Sequence, residues 1–479
     1  MKTSYPILLI FLLAACHKSS TPPGSAKKNK ESALFSVGSV CWTQAGLVVD
    51  SSLQFNNQSY LQDTANPAQL PVISYNWDFG DHSTSNETSP THSYSLPGTY
   101  TVTLITYVDN QPSDTLSKVV QIVMGLREFK IDNYNYAIDM DEAAQKGALI
   151  LYASNSSGLT TRTFGLLRVD SLLRVRWTKT LADNNTIRLS SIKRINDNAY
   201  ILSGNYTSGN TSGFYLSEID SSGNLIWMNG YSNLAGTNYY TLPVSDGGFL
   251  TTGTVLISNA YYAAIVKCDA GGNELWRRVF DSTQSLVGIN NIIELASGGF
   301  AFAAESGSYG TGFNLVLTQL DVNGQITNQK NLAPNYPVSY GYAGMLYNSN
   351  TYLVYATDPG IDIYTYLFDN TFSATGSPYF NSGVIKGGLN DGGNFVVYSY
   401  SNQYSELNQL LPNGTMGWNY TVDPTINLSC SSTLSGAGRA CREAIYTTGN
   451  EIMVLADGQN SSSTQSLYVV KLTPDGKVK

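Results

Sequence analysis

Short apolar segments of strand length, separated by turns, recur across residues 147–479. One half of the recurring unit is an apolar segment led by Gly or Asn, such as GGFL at 247–250 and GGFA at 298–301. The other half is an apolar strand that enters a tight turn, such as IDSSGNLIW at 219–227 and CDAGGNELW at 268–276. Each half occurs seven times without a helical period, so the pattern predicts a repeating all-β domain.

The turn glycines recur with a period near 50: Gly223 and Gly272 are 49 residues apart, and Gly272 and Gly324 are 52 apart. Such a period, with a few short strands in each unit, is typical of β-propeller blades. We therefore expect a seven-bladed β-propeller over residues 125–479. Because the last repeat stops just after its turn, we expect the strand at 128–131 to complete the final blade and remove an open sheet edge.

Each turn combines Asx residues with a Gly that supplies positive φ, and a Trp four residues after the Gly can pack between adjacent blades. This Asp-x-x-Gly-x-x-x-Trp pattern resembles the docking motif of quinoprotein-like propellers. A resemblance to the dehydrogenases of that family would imply eight blades and a metal site with adjacent cysteines. This chain has seven repeats and no adjacent cysteines. We therefore predict no cofactor and no metal site, and we interpret four tryptophans as core: Trp177, Trp227, Trp276 and Trp418.

Residues 35–124 carry a different pattern, with WDFGD at 77–81 and PGTYTVTL at 97–104. These motifs resemble the PKD family, which implies an immunoglobulin-like β-sandwich that acts as a spacer or binding domain. Trp77, Phe79 and Tyr100 are predicted to be core. The family's Gly after the second Asp is His82 here, so the resemblance leaves the exact geometry of that turn open. Asp78 and Asp81 are expected to accept hydrogen bonds from the turn backbone, with calcium binding as the alternative.

The N-terminus combines Lys2, an apolar segment at 5–13 and the box LAAC at 13–16. It resembles the signal of bacterial lipoproteins, which implies cleavage after residue 15 and a lipid on Cys16. The alternative is an ordinary secretory signal in which Cys16 is incidental. Residues 16–34 are polar and are expected to form a tether. We predict a protein anchored in the bacterial cell envelope, at the outer membrane or cell surface, whose membrane contact is the lipid.

Charged residues make up 13% of the chain, about half of the usual share. The net charge is −8, and a nucleic-acid surface would need clustered Lys and Arg. The composition therefore argues against nucleic acid as a partner.

Four cysteines remain after Cys16. The interval from Gly414 to Gly476 is 62 residues, and its extra length includes both Cys430 and Cys441. We predict a disulfide between these two. For Cys41 and Cys268, which lie in different predicted domains, buried free thiols are favoured over a bridge.

The only histidines are His17, His82 and His92, outside the predicted propeller. Histidine-based hydrolysis and His-ligated zinc therefore cannot be built from the propeller alone. A pair of carboxylates could still hydrolyse a glycoside. The candidates form two acidic clusters, and turn capping and solvation explain each of them as well: Asp139, Asp141 and Glu142, and Asp358, Asp362 and Asp369.

We predict no catalytic residues, and a non-catalytic binding or scaffold role in which the many tyrosines contact a glycan or a protein. Two alternatives remain. One is a polysaccharide-degrading enzyme that uses a carboxylate pair in the propeller, and the other is a scaffold for outer-membrane assembly.

Overall fold

The computed structural model describes most of the chain from residue 30 to residue 472. The described ranges are 30–39, 42–43, 46–48, 52–63, 73–123, 126–155, 162–181, 186–281, 285–308, 312–332, 337–338, 344–348, 351–357, 363–376, 379–380, 383–389, 395–400, 405–411, 413, 415–421, 441–448, 451–459 and 465–472. Apart from a 3₁₀ turn at Ala144–Lys146, every regular element in these ranges is a β-strand. None of the described segments forms a helix capable of spanning a membrane.

The described residues belong to two compact units. The first takes them from 1–40, 52–93 and 99–120, and the second from 41–51, 94–98 and 121–479.

The N-terminal strands form a three-stranded sheet in the order β2-β5-β9, a six-stranded sheet in the order β3-β4-β11-β10-β7-β8, and the pair β1-β6. Their bounds are β1 (Lys30–Ser32), β2 (Phe35–Ser39), β3 (Trp42–Thr43), β4 (Gly46–Val48), β5 (Leu53–Asn57), β6 (Tyr60–Asp63), β7 (Ile73–Asp78), β8 (Thr84–Ser85), β9 (Thr91–His92), β10 (Gly98–Val108) and β11 (Gln111–Val123). The buried residues of β10 alternate along the strand, as in a sheet with one face in the core.

The core of the first unit is aromatic. Trp77 is fully buried, with its ring centroid 5.1 Å from that of Phe35, and Phe79 packs 5.1 Å from Phe55. These contacts confirm Trp77 and Phe79 as core, whereas Tyr100 is only half-buried because it lies near the start of β10, before the fully buried positions.

The turn after β7 explains the unusual His82. Its φ is 73°, in the left-handed region that favours glycine, so the chain holds a histidine where the family has Gly. Asp78 Oδ1 accepts a hydrogen bond from the Gly80 backbone N–H at 2.8 Å, and Asp81 Oδ1 accepts one from the Ser83 N–H at 3.1 Å. The prediction that both aspartates satisfy turn donors is confirmed.

The second unit contains a seven-bladed β-propeller. Its described residues from 126 onward form seven antiparallel sheets, numbered here in chain order, with four strands along each main path. Sheets 1 to 3 contain β13 (Tyr134–Ala143), β14 (Gly147–Asn155), β15 (Arg162–Val169) and β16 (Val175–Leu181); β17 (Ile187–Asn196), β18 (Ala199–Ser208), β19 (Thr211–Asp220) and β20 (Leu225–Ser232); and β21 (Gly236–Pro243), β22 (Phe249–Ile257), β23 (Ala260–Cys268) and β24 (Glu274–Val279).

Sheets 4 to 6 complete most of the ring. They contain β25 (Leu286–Val287), β26 (Ile293–Glu294), β27 (Phe300–Ser308), β28 (Gly312–Leu320), β29 (Ile326–Asn331) and β30 (Pro337–Val338); β31 (Gly344–Tyr347), β32 (Tyr352–Thr357), β33 (Ile363–Phe368), β34 (Ala374–Gly376) and β35 (Tyr379–Phe380); and β36 (Gly383–Leu389), β37 (Phe395–Tyr400), β38 (Ser405–Leu410) and β39 (Met416–Thr421).

Sheet 7 joins the two ends of the propeller. It contains β40 (Cys441–Tyr446), β41 (Ile452–Gln459), β42 (Gln465–Leu472) and β12 (Leu126–Phe129), and β12 pairs with β42 through the register Phe129↔Leu467. Strand β13 of sheet 1 also contacts β40. The prediction that the first residues of the propeller supply the missing strand is confirmed, although the strand ends at Phe129 and does not include Lys130 or Ile131.

Tryptophans on the fourth strand of one sheet pack against the turn of the next sheet. Gly272, in the turn of sheet 3, has a φ of 75°, and a Cβ atom there would overlap the ring of Trp227 from sheet 2. Gly324, in the turn of sheet 4, would bring a Cβ to 2.8 Å from the Trp276 ring of sheet 3. A Cβ at Gly223, in the turn of sheet 2, would lie 3.2 Å from the Trp177 ring of sheet 1, which is a looser contact of the same kind. These three tryptophans are half-buried and pack against the cores between the sheets, so they lie at the blade junctions as predicted but are not fully buried core, while the Trp418 side chain lies outside the described residues.

Candidate functional site

The junction between sheets 4 and 5 departs from this docking rule. Asn328 occupies the strand position of the tryptophan, directly opposite Gln319 just as Trp227 is opposite Glu218. In the turn of sheet 5, Phe372 replaces the glycine, with a φ of 61° and a fully buried side chain. The aromatic ring therefore comes from the turn of sheet 5 and packs inward, against a core that includes Leu317 and Leu332 of sheet 4 together with residues of sheet 5.

A cleft of about 500 Å³ opens at this junction. Its walls come from the hairpin at 295–299, the end of β28 with its turn, the bulge residue of β29, two tyrosines of sheet 5 and the sheet 5 turn. The lining residues are Leu295, Ala296, Ser297, Gly299, Gln319, Leu320, Asp321, Val322, Thr327, Tyr347, Tyr352 and Asn370. The volume is within the range of about 300–1,000 Å³ typical of small-molecule sites.

An aromatic stack forms one wall of this cleft. The Tyr347 and Tyr352 rings are stacked with their centroids 4.5 Å apart at 24°, and the Phe372 ring lies 5.3 Å from Tyr352 on the inner side. Tyr352 is almost fully buried, and burial raises the pKa of its hydroxyl above the ordinary value, so the group stays neutral at physiological pH. Tyr347 is half-exposed at the cleft.

Amide and hydroxyl groups line the rest. Gln319 Nε2 donates to the Tyr352 hydroxyl at 3.0 Å and to the Asn370 carbonyl at 3.4 Å, so the amide is held in one orientation. Thr327 is left out of the β28–β29 pairing by a register shift and is exposed at the cleft. These groups can both donate and accept hydrogen bonds, which suits a polyhydroxylated ligand.

The first predicted acidic cluster lies on β13 and connects the sheets. Asp139 is buried, and its Oδ2 accepts hydrogen bonds from the Ser191 hydroxyl at 2.8 Å and the Ile192 N–H at 2.9 Å on β17. Lys193 forms an ion pair with it at 3.2 Å. All three donors belong to sheet 2, so Asp139 fastens sheet 1 to sheet 2.

Asp141 and Glu142 act similarly. Asp141 Oδ2 accepts from the Arg194 N–H at 2.7 Å, and desolvation by burial raises the pKa of this carboxyl. Glu142 Oε1 accepts from both the N–H and the hydroxyl of Thr448 in sheet 7, each at 2.9 Å. Glu142 Oε2 also pairs with Arg194 at 3.2 Å, so this one strand connects sheets 7, 1 and 2.

The second predicted acidic cluster is described only at Asp369, since Asp358 and Asp362 lie outside the described residues. Asp369 Oδ1 accepts from the backbone N–H groups of Thr371 and Ser373, at 2.8 and 2.9 Å. These bonds hold the turn that presents Phe372, and the side-chain hydrogen bond from Thr371 lowers the pKa of Asp369.

Of the predicted cysteines, Cys268 is described as a buried free thiol, as expected, and burial raises its pKa to about 11. Cys16, Cys41 and Cys430 lie outside the described residues. Cys441 begins β40, but its side chain is outside the described part of the chain. The predicted Cys430–Cys441 disulfide and the lipid on Cys16 remain predictions.

The sequence did not predict Tyr347, Tyr352 and Gln319 as site residues. The signal that could have found them is the repeat DVNGQITN at 321–328, which keeps its turn glycine but has Asn328 at the position of the tryptophan. A missing docking ring at a regular position indicates a junction that is packed differently.

One family model matches part of the N-terminal region. Residues 50–123 match the family model described as the PKD domain. Over 61 residues the chain is 39% identical to the pre-pro-metalloprotease PrtV of Vibrio cholerae, and over 57 residues it is 42% identical to the collagenase ColA of Bacillus cereus. These alignments cover 13% and 12% of this chain, and only 7% and 5% of the two enzymes.

Solved structures similar to the chain include β-propellers. A quinoprotein alcohol dehydrogenase-like protein from Bacteroides thetaiotaomicron aligns with 80% of this chain and 95% of its own, at 12% identity and a TM-score of 0.35. The β-propeller domain of the Trilobed protease from Pyrococcus furiosus aligns with 70% of this chain and 93% of its own, at 8% identity and a TM-score of 0.41. The propeller assignment itself follows from the seven sheets described above.

Proposed function

We propose that this protein is a lipid-anchored, non-catalytic binding or scaffold protein of the bacterial cell envelope, and that its propeller recognises a glycan or a protein. The observation that carries the proposal is the cleft between sheets 4 and 5, where a tyrosine stack meets amide and hydroxyl groups. Such a combination of apolar surface and a few convergent polar groups is characteristic of binding sites.

The use of the carboxylates supports binding over catalysis. Asp139, Asp141 and Glu142 each accept hydrogen bonds that join neighbouring sheets. A glycosidase needs one carboxylic acid and one carboxylate that both reach the substrate. Carboxylates held by backbone N–H groups and cations inside the ring are poorly suited to that role. Because all three histidines of the sequence precede residue 125, the propeller also supplies no histidine base.

Tethering completes the proposal. The Cys16 lipid would hold the chain at the membrane, and residues 16–34 with the PKD domain would act as tether and spacer. Detergent-phase partitioning of the expressed protein tests this part, and we expect the Cys16→Ser variant to move to the aqueous phase. Equal partitioning of the two forms would refute the anchor.

Binding and catalysis are separated by one set of assays on the purified chain that starts at residue 17. We expect retention on a glycan array or crosslinking to an envelope protein, with no reducing sugar released from the retained polysaccharide. If sugar is released, and an Asp or Glu substitution in the propeller abolishes the release in a folded protein, the chain is a polysaccharide-degrading enzyme.

A further inference from the structure

We propose that the cleft between sheets 4 and 5 binds an uncharged sugar residue of a glycan. This inference rests on the proposed function and specifies both the ligand class and the site.

The cleft is a consequence of how this junction is packed. At the junction of sheets 2 and 3, the Trp227 ring from the preceding sheet covers Gly272 of the following turn. At sheets 4 and 5 the preceding sheet offers only Asn328, and Phe372 from the following turn packs inward in the core. Space near the turns is thus left for a ligand, while the core beneath it stays filled and supplies a rigid floor.

The aromatic wall matches one face of a sugar ring. A pyranose presents C–H groups on its faces and hydroxyl groups around its edge. Tyr347, half-exposed and backed by the ring of Tyr352, offers apolar surface together with a phenolic hydroxyl. Because Tyr352 is itself backed by Phe372, the stack loses little conformational freedom when a ligand binds.

The polar wall matches the edge of the ring. Ser297 and Thr327 present exposed hydroxyls, and Asn370 presents an exposed amide. Gln319, already oriented by Tyr352 and the Asn370 carbonyl, adds a second amide whose oxygen is an acceptor. A sugar hydroxyl donates one hydrogen bond and accepts others, so these side chains can satisfy it in either role.

The charge of the lining selects against acidic sugars. Among the described lining residues, Asp321 is the one acidic side chain, and none is Lys, Arg or His. Asp321 Oδ1 accepts from the N–H groups of Asn323 and Gln325 at 2.9 and 2.8 Å, which keeps the carboxylate in place at the turn. A uronate or sulfated sugar would meet this carboxyl group, and none of the described lining residues offers a cation to pair with it, while the nearby Lys330 ammonium is bound to the Phe372 carbonyl at 2.7 Å.

The test uses an array that carries neutral glucan, mannan and galactan oligosaccharides beside uronate-containing and sulfated ones. The parent chain is compared with Thr327→Trp, which fills the cleft from an exposed bulge position. Ile226→Trp is the matched control, because Ile226 is skipped by the same register shift in sheet 2 and is 54% exposed. A second pair, Tyr347→Ala and Tyr347→Phe, separates the ring from its hydroxyl.

We expect the parent to retain neutral oligosaccharides and not acidic ones. Calorimetric titration with the best retained oligosaccharide should show binding about tenfold weaker, or weaker still, for Thr327→Trp and Tyr347→Ala, and changes within about twofold for Ile226→Trp and Tyr347→Phe. Unchanged thermal midpoints for the two tryptophan variants would show that the fold is intact.

Three results would overturn the inference: full binding by Thr327→Trp, equal retention of acidic oligosaccharides, or no neutral oligosaccharide retained by the parent. Glycan binding that survives Thr327→Trp would leave the proposed function standing and place the site elsewhere. Release of reducing sugar by the parent would instead overturn the proposed function, whatever the variants show.

Discussion

Two junctions of the propeller fill the space between neighbouring sheets with an aromatic side chain, but that side chain comes from opposite sides of the junction. Between sheets 2 and 3 the docking ring belongs to the preceding sheet, since Trp227 covers Gly272 and packs 5.9 Å from Phe249. Between sheets 4 and 5 the ring belongs to the following turn, where Phe372 occupies the glycine position. The turn residue and the opposing residue change together. Glycine is needed in the turn where a tryptophan of the preceding sheet approaches, and a residue with a side chain can replace it where no tryptophan approaches.

The junction between sheets 7 and 1 repeats the arrangement between sheets 4 and 5. Leu173, in the turn of sheet 1, has a φ of 56° and is fully buried in a cluster that includes Leu467 and Val469 of sheet 7. The left-handed conformation costs a non-glycine residue about 1 kcal/mol, which burial of a large apolar side chain exceeds. Turns that look degenerate in the sequence are therefore well-packed alternatives.

One polar contact is kept in both kinds of junction. The carbonyl at the glycine position accepts a hydrogen bond from a side chain two residues beyond the tryptophan position: Asn229 to Gly272 at 2.9 Å, Arg278 to Gly324 at 2.9 Å and Lys330 to Phe372 at 2.7 Å. The register between sheets is thus preserved even where the aromatic ring changes sides.

The largest effect on stability should come from removing the Phe372 side chain at the junction between sheets 4 and 5. Phe372→Gly relieves the left-handed strain but leaves a cavity between sheets 4 and 5, so we expect a loss of about 3 kcal/mol in the free energy of unfolding. Adding Asn328→Trp to this variant recreates the arrangement between sheets 2 and 3 and should recover part of the loss, measured by denaturant unfolding. Additive effects of the two substitutions would contradict the exchange of one ring for the other.

A smaller loss of stability should follow from adding a side chain at Gly272, where the Trp227 ring packs between sheets 2 and 3. In Gly272→Ala the new methyl group meets the Trp227 ring and the residue must keep a φ of 75°, so we expect a loss of about 2–3 kcal/mol. Gly247→Ala is the control, because its φ is 85° but a Cβ there has no atom within 4 Å, and about 1 kcal/mol of backbone cost should remain. Equal thermal shifts for the two variants would show that Trp227 does not restrict the turn.

The smallest effect should appear at alkaline pH. Cys268 occupies, before the turn of sheet 3, the position that Phe368 has before the turn of sheet 5. Burial raises the pKa of Cys268 from 9.0 to about 11, so the unfolded chain loses this proton first. The neutral thiol makes its full contribution to the free energy of unfolding below pH 9. As the pH rises from 9 to 11, this contribution falls by about 2 kcal/mol.

This pH dependence is measured as the difference between the parent and Cys268→Ala. The free energy of unfolding of the parent should fall more steeply between pH 9 and 11 than that of the variant. Parallel curves for the two proteins would mean that the thiol ionises equally in both states.

Much of the architecture followed from local pattern. A propeller that follows a PKD-like sandwich in the chain was predicted from the period near 50, the Asx and Gly turns and the WDFGD motif. The strand β12, which pairs with β42, was expected at 128–131 and lies two residues earlier, at Leu126–Phe129. These features depend on neighbours in sequence, such as the positive φ of Gly223 and the alternation in β10, so local chemistry determines them.

The carboxylates show where such inference stops. Asp139, Asp141 and Glu142 appear as a solvated or catalytic cluster in the sequence, yet their partners are 52 to 306 residues away in sheets 2 and 7. Closure of the ring brings these partners together, and a sequence motif does not record it.

The sequence by itself determined the strands, the repeat, the turn glycines and the class of each unit, because those follow from side-chain periodicity and backbone preference. Only the tertiary structure decided which side of a junction supplies the docking ring, and that the exchange at sheets 4 and 5 leaves a cleft beside Tyr347 and Gln319. The physical reason is that packing between sheets depends on volume shared by residues 33 to 51 positions apart, as in the contacts of Gln319 with Tyr352 and Asn370.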